Sequence, residues 1–396
     1  MKETHLIHRR DVLGMGAAAG LAAVLAGALP GRLAAKEGGV RIAIAAPMTG
    51  DSASMGLNAQ RGAAAAIAMI NAAGGIGGAP VEIEFFDDMG QPREAASVAR
   101  RIVDAGVYDA VIGHVNSSCT LAAMPIYAEV DMPVLCGSSS NSQVTESGWT
   151  NIIRMTIRDD YGAQQYSAFA VNNLGKKNLG ILYANDDYGR GLRDKMLVAA
   201  EALGAAVPAE AGFTPSVDKD FSAIATDFKA KGADVFMLNC NYTEGGLFLG
   251  QAKGLGITGI PTVGPDSLLY NEFIDLAQGA AEGAYILAAY DPYSDNPKTV
   301  AFMEKFKADY DALPSQVAVF TCDLLMLTQT LMNAGATSET LIDQAKATGF
   351  EGVGGTYRWD EKGDVKDRTF AVIQVKDGAF ASTGASVDET GLDALR

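Results

Sequence analysis

Two successive series of short apolar runs, each alternating with stretches of helical spacing, constrain this chain more than any other feature. In the first series, Val40 to Pro47, Val81 to Phe86, Asp109 to Gly113 and Pro133 to Cys136 read as strands. Gly56 to Ala73, Pro92 to Ala105 and a segment from about Ser118 read as the helices between them. A second series comes after it, with strands over Asn178 to Tyr183, Asp234 to Leu238 and from Pro261 to Val263. Its helices fall at Gly189 to Leu203, Phe221 to Lys231, Glu244 to Gly254 and Asn271 to Gln278. Strands that read as unbroken apolar runs are buried on both faces, and parallel neighbours need a helical crossover. Each series therefore predicts a doubly wound α/β lobe with a parallel sheet.

The remainder of the chain returns to both lobes. Ala284 to Ala289 and Arg368 to Val375 are strand-like, and Lys298 to Asp311 and Gln316 to Ala334 are helical. No long Pro- or Ser-rich linker separates the halves. The chain is expected to cross between the sheets near 155–159, 287–291 and 368–372. Three short crossovers leave a cleft between facing carboxyl edges, where open α/β sheets bind ligands, and imply hinged closure. A length of 396 residues, 48% hydrophobic and 20% charged, suits two such domains.

The formal net charge is −16. This argues against nucleic acid and anionic membranes as partners, since both require basic patches. The N-terminus is read apart from the fold. Arg9-Arg10 precedes the uncharged, Ala- and Gly-rich stretch Val12 to Leu29, and Leu33-Ala34-Ala35 offers a cleavage site. This pattern predicts a twin-arginine export signal over residues 1–35 and a periplasmic location. An uncleaved anchor competes, but so many small residues make a weak apolar segment. Removing residues 1–35 takes away Lys2, Arg9, Arg10, Arg32, Glu3 and Asp11, leaving a mature charge of −18.

Four cysteines, Cys119, Cys136, Cys240 and Cys322, form no CxxC, and His114 is the one histidine beyond the signal. No metal and no cofactor is expected. The compartment permits disulfides, with Cys119 and Cys136 as the first pair to consider. Buried free thiols are an equal alternative, because twin-arginine substrates fold before export.

The cleft chemistry begins at Asn116-Ser117-Ser118, where a strand meets a helix, and at Ser138-Ser139-Ser140-Asn141, which repeats the arrangement one strand later. Helix N-termini expose unpaired N–H groups and partial positive charge, and serine hydroxyls add donors. Neither loop has a Lys or Arg, so a single carboxylate suits them better than a polyphosphate. The competing reading is ordinary helix capping. A hydrolase fails for lack of a GxSxG elbow or a placed base, and no catalytic constellation is present. Gly74-Gly75-Ile76-Gly77-Gly78 follows a helix rather than a strand, so it reads as helix termination and not as a dinucleotide loop.

Ordered along the chain are Pro47-Met48-Thr49-Gly50, Asn71 to Gly78, Asp87-Asp88, Val111-Ile112-Gly113-His114 and Asp187-Tyr188-Gly189-Arg190-Gly191. Lys219-Asp220-Phe221 and Trp359-Asp360-Glu361-Lys362-Gly363-Asp364 complete the series. In order and spacing these resemble the type I periplasmic binding proteins of branched-chain amino-acid (Leu/Ile/Val) ABC importers, from about Val40 to Val375. The resemblance implies an N-terminal lobe of 39–156 plus 290–368 and a C-terminal lobe of 157–289 plus 369–396. It implies a monomer that captures an amino acid or related small polar ligand and delivers it to an inner-membrane ABC permease. A sensor of the same fold, binding an amide, urea or an aromatic acid, is the alternative.

By the same resemblance, Ser117 holds the ligand carboxylate, Ser138 and Ser140 serve both ends of the zwitterion, and Tyr188 and Tyr242 line the second lobe. Asp266 pairs with the ammonium. The sequence departs from leucine-type members in several places. Asp266 stands for Glu, Met55 for an aromatic, Ser138 and Ser139 for small apolar residues, and Asn116 for a less polar one. Met89 and Asn116 occupy the positions of a first-lobe disulfide, and Arg158, beside Asp159, adds a polar contact at a crossover. The implied pocket is more polar than a leucine site.

Overall fold

The computed structural model describes residues 39–387; the expected export signal and the last residues, 388–396, lie outside the described residues. The first lobe opens with β1 (Arg41–Ala46), α1 (Ala53–Ala72), β2 (Glu82–Asp87), α2 (Pro92–Ala105), β3 (Ala110–Ile112), α3 (Ser117–Ala128), β4 (Val134–Cys136), α4 (Gln143–Glu146) and β5 (Ile152–Arg154). Its strands pair in the order β2-β1-β3-β4-β5, all parallel. The central strands are almost wholly buried, as their apolar runs require.

The second lobe holds α5 (Asp159–Ala168), ending in a π-turn over Phe169–Asn173, then β6 (Asn178–Ala184), α6 (Asp187–Ala202), β7 (Ala206–Phe213) and α7 (Ser222–Ala230). It continues with β8 (Val235–Asn239), α8 (Tyr242–Gly254), β9 (Thr262–Pro265), α9 (Asn271–Leu276) and β10 (Tyr285–Ala288). The chain then returns through α10 (Pro297–Tyr310), α11 (Gln316–Asn333), α12 (Leu341–Thr348) and the small hairpin β11 (Phe350–Gly352) and β12 (Gly355–Tyr357). It finishes with β13 (Phe370–Lys376) and β14 (Ala379–Val387).

The second sheet runs β14-β13-β10-β9-β8-β6-β7. It is parallel except at one edge, where β13 lies antiparallel to β10 and β14 antiparallel to β13. Coming after the first-lobe helices, β13 enters the sheet from its cleft side and so runs against its neighbours. In both sheets the winding reverses direction, between β1 and β3 and between β6 and β8. A crevice opens outside the carboxyl ends at such a switch point.

Three segments join the lobes, after β5, after β10 and before β13, and polar contacts tie them together. The fully buried Arg154 donates from Nε to Asp364 Oδ1 at 2.7 Å, and Arg158 donates from Nη1 to Asp364 Oδ2 at 2.8 Å. Trp359 Nε1 donates to the Arg154 carbonyl at 2.7 Å. The turn Trp359 to Asp364 therefore fixes the first crossover. Arg368 Nη2 donates to the carbonyls of Ala289 (2.6 Å) and Gly354 (2.9 Å), which binds the third crossover to the second.

Two of the other quoted sequence segments, Asp87-Asp88 and Val111 to His114, act as structural fasteners. Asp87 accepts from the backbone N–H of Met48 at 2.9 Å and shapes the loop after β1. Asp88 Oδ2 meets His114 Nδ1 at 2.6 Å, while His114 Nε2 meets the Tyr127 hydroxyl at 3.1 Å, all three side chains buried. The four cysteines are free and buried, so the alternative of unpaired thiols holds and the Cys119–Cys136 pairing does not; Cys136 Sγ faces the Ser139 carbonyl instead.

Candidate functional site

The site is assembled almost entirely from residues just beyond the carboxyl ends of the strands. Asn116 and Ser117 come after β3, Ser138 and Ser140 after β4, and Thr156 to Asp159 after β5. In the other lobe Tyr188 stands in the first turn of α6, Asn241 comes after β8, and Asp266 and Ser267 come after β9. Met55 from α1 and Gln316 and Val317 from α11 complete the wall. Together they enclose a cavity of about 40 Å³, measured as room for the centres of water molecules.

Of the sequence-predicted residues, Met55, Asn116, Ser117, Ser138, Ser140, Tyr188 and Asp266 line this cavity. Two do not. Ser139 is fully buried, its Oγ 2.5 Å from Thr120 Oγ1 and donating to the His114 carbonyl at 3.0 Å. Successive residues in the loop after β4 point opposite ways, and Ser139 points inward to tie β4 to β3. Tyr242 sits at the rim, where its hydroxyl donates to the Asp51 carbonyl at 2.9 Å and accepts from Ser54 N at 3.3 Å. It joins the lobes rather than lining the pocket. Arg158 does line the cavity, but its guanidinium is held by Glu146, Asp160 and Asp364.

The capping alternative fits Asn116 poorly. It makes no side-chain capping bond, and its buried Oδ1 has no hydrogen-bond partner. Ser117 Oγ accepts from Asn141 N at 3.3 Å, which leaves its hydroxyl proton available for a ligand acceptor. Across the cleft, Asn141 Nδ2 donates to the Asp187 carbonyl at 2.5 Å, and Asp187 N donates to Ser118 Oγ at 3.0 Å. The approach depends on Gly191, where a Cβ would lie 2.5 Å from Asn141 Nδ2.

Sequence reasoning missed Asp159 as a site residue in its own right. It opens α5 directly after a crossover, is buried, and has one carboxylate oxygen without a hydrogen-bond partner. Burial pushes its carboxyl up to about 7. Burial raises Asp266 likewise to about 7, opposed by the backbone N–H of Ala289, which donates to Oδ2 at 3.0 Å. Tyr166, Gln316 and Phe370 were also missed. Gln316 was recoverable, since it is the first residue of a helix the sequence bounds correctly. The two carboxylates face a cavity whose one lining cation, Arg158, is already neutralised. Such a site favours a ligand with a positive group and discourages an anion.

Two α/β lobes meeting over a buried, polar, hydroxyl- and acid-lined cavity define a ligand-capturing receptor. The sequence pattern described as periplasmic binding protein matches residues 39–379, and the chain belongs to that family. An "Amino acid binding protein" of Pseudomonas aeruginosa is 31% identical over 85% of this chain and 90% of its own length. The "Leucine-, isoleucine-, valine-, threonine-, and alanine-binding protein" of the same organism is 31% identical over 85% of this chain and 89% of its own. Among solved structures, a leucine-binding protein from Thermotoga maritima matches with a TM-score of 0.82 at 28% identity, covering 88% of this chain and 99% of that one. A branched-chain amino-acid transporter substrate-binding protein from Streptococcus pneumoniae, in complex with isoleucine, gives 0.81 at 27% identity, covering 89% and 99%.

Proposed function

We propose that this chain is the solute-binding component of an ABC importer, capturing an α-amino acid by closure of its two lobes and presenting it to an inner-membrane permease as a monomer. One observation carries the reading: two buried acids, Asp159 and Asp266, and a set of hydroxyl donors line one cavity with no free cation among the described residues. A zwitterion satisfies both. Ser117, with the N-terminus of α3, offers donors to a carboxylate, while the Ser140 hydroxyl donates to Asp159. Asp266 from the second lobe and Asp159 from the crossover offer acceptors to an ammonium. The lobes, taken as 39–156 plus 290–368 and 157–289 plus 369–396, then close because the ligand's two ends belong to different lobes. Relatives named for amino-acid binding support the assignment.

Thermal unfolding of the purified protein against amino acids, amides, urea and aromatic acids tests it. A ligand at 100 times its dissociation constant stabilises by about 2.7 kcal/mol, a shift easily resolved. Stabilisation by benzoate-like acids or urea, with none by amino acids, would refute the proposal. Export through a twin-arginine signal is part of the same reading, motivated by Arg9-Arg10 ahead of an apolar stretch. Arg9→Lys with Arg10→Lys is expected to keep the protein out of the periplasm, and normal periplasmic accumulation would overturn that part.

A further inference from the structure

The size of the cavity narrows the ligand beyond the amino-acid reading, on which this step rests. We infer that the ligand is an α-amino acid whose side chain has no more than about two non-hydrogen atoms, the class of alanine and serine, and that leucine and isoleucine are excluded from the closed form.

The closed cavity of about 40 Å³ holds three or four water centres at roughly 10–15 Å³ each, or about 90–120 Å³ of liquid water. That volume accepts the zwitterionic backbone and a very short side chain. An isobutyl group exceeds it.

The wall formed by Met55, Val317 and Gln316, the last beside Asp266, has no room to retreat. Met55 and Val317 face the cavity and belong to the main core cluster. They stand on α1 and α11, whose backbones touch: a Cβ at Gly62 would lie 2.1 Å from the Ala318 carbonyl oxygen. Gln316 is braced by the Thr156 hydroxyl at 3.5 Å. A well-packed interior resists such expansion.

The other escape, a wider separation of the lobes, has its own cost. The Asn141–Asp187 contact at 2.5 Å and the Tyr242–Asp51 contact at 2.9 Å fix the closed spacing. A longer side chain would prop the lobes apart and forfeit both. The wall is also mixed in character, because Gln316 and Thr156 set polar atoms beside Met55 and Val317. A short methyl or hydroxymethyl group suits that mixture, and a purely apolar branch does not.

Calorimetric titration of the purified protein with glycine, alanine, serine, threonine, valine, leucine and isoleucine tests the inference. Alanine or serine is expected to bind best, and leucine and isoleucine at least about 100-fold more weakly, the range set by extra methylenes in a fixed pocket. Met55→Ala and Gln316→Ala open the wall from two sides. Each is expected to raise the ratio of leucine to alanine affinity by about tenfold or more, with folding checked by the unfolding midpoint. Leucine binding within about tenfold of alanine in the unaltered protein would overturn the size limit and leave the receptor reading standing. Ratios unchanged in both variants would overturn the assignment of the wall. No heat with any amino acid, short or long, would sink the amino-acid reading itself.

Discussion

Replacing Asp266 by Asn separates what the residue does for the fold from what it does for the ligand, because the two effects have opposite sign. Burial raises its carboxyl to about 7 from an ordinary 3.8. The unfolded chain ionises it above about pH 4, but the ligand-free fold only above about 7. Between those values the fold binds a proton that the unfolded chain does not. Stability from this group is therefore complete below about pH 4 and declines up to pH 7. About three pH units correspond to roughly 4 kcal/mol lost at pH 8.

The substituted asparagine would carry no charge, and its amide oxygen could still accept from the Ala289 N–H. Allowing for an imperfect fit of the new NH₂, Asp266→Asn should stabilise the ligand-free protein by about 1–3 kcal/mol at pH 8, a rise of about 1–4 °C in midpoint for a chain of this length. At pH 4 the gain should vanish. The amino-acid ligand should meanwhile bind about 2–5 kcal/mol more weakly, the usual effect of removing one partner of a buried charge pair. Scanning calorimetry at pH 4 and pH 8, with titration calorimetry at pH 8, reads all three quantities. A variant that melts no higher than the parent at pH 8 and binds its ligand equally well would refute both the burial argument and the ammonium assignment.

The same ionisation makes affinity depend on pH: with Asp159 and Asp266 both raised to about 7, binding an ammonium expels protons below pH 7. Affinity should fall by up to about tenfold per pH unit for each proton released, and a flat profile from pH 5 to 8, by titration calorimetry, would contradict this. Asp88→Ala should destabilise by about 3–5 kcal/mol, since it strands the buried His114 and Tyr127. Ligand preference should not change, because none of the three lines the cavity; a denaturant melt and a ligand panel check both. The four buried thiols should not react with a chromogenic disulfide in the native protein and should all react in denaturant. Fewer than four in denaturant would mean a disulfide had formed.

The parallel strands were legible because burial on both faces writes them as apolar runs, as in Val134 to Cys136 and Val235 to Leu238. The edges were not. β7 carries Pro208 and Glu210 and is half exposed, and its register shifts beside the proline, so it lacks both the apolar run and a clean alternation. β14 is exposed along most of its length and reads as loop. In the site, the serine loops stood out because two hydroxyl clusters recur at the ends of successive strands, which capping of one helix does not require. Asp159 was hidden, since its place in the pocket depends on where a crossover delivers α5. Tyr242 misled for the opposite reason: its position beside the cleft was read correctly, but the hydroxyl turns to Asp51 and Ser54. Which way one side chain turns within a loop is decided by tertiary neighbours, and Ser139 between Ser138 and Ser140 is the plainest case.

The rim contacts that join the lobes involve no ligand atom. Asp51 meets Lys219, Ser54 meets Glu272, and Tyr242 and Thr243 both donate to the Asp51 carbonyl. Separating the lobes would break each of them, so on the proposed closure each would bias the equilibrium toward the closed receptor before any ligand arrives. Observed affinity is the intrinsic affinity multiplied by the closed fraction. The rim is thus a set point. Substitutions there can move the concentration at which the receptor fills, tenfold for every 1.4 kcal/mol or so, while leaving its choice of ligand to the cavity. A lineage needing to scavenge at lower or higher solute levels has a place to adjust the threshold without redesigning recognition.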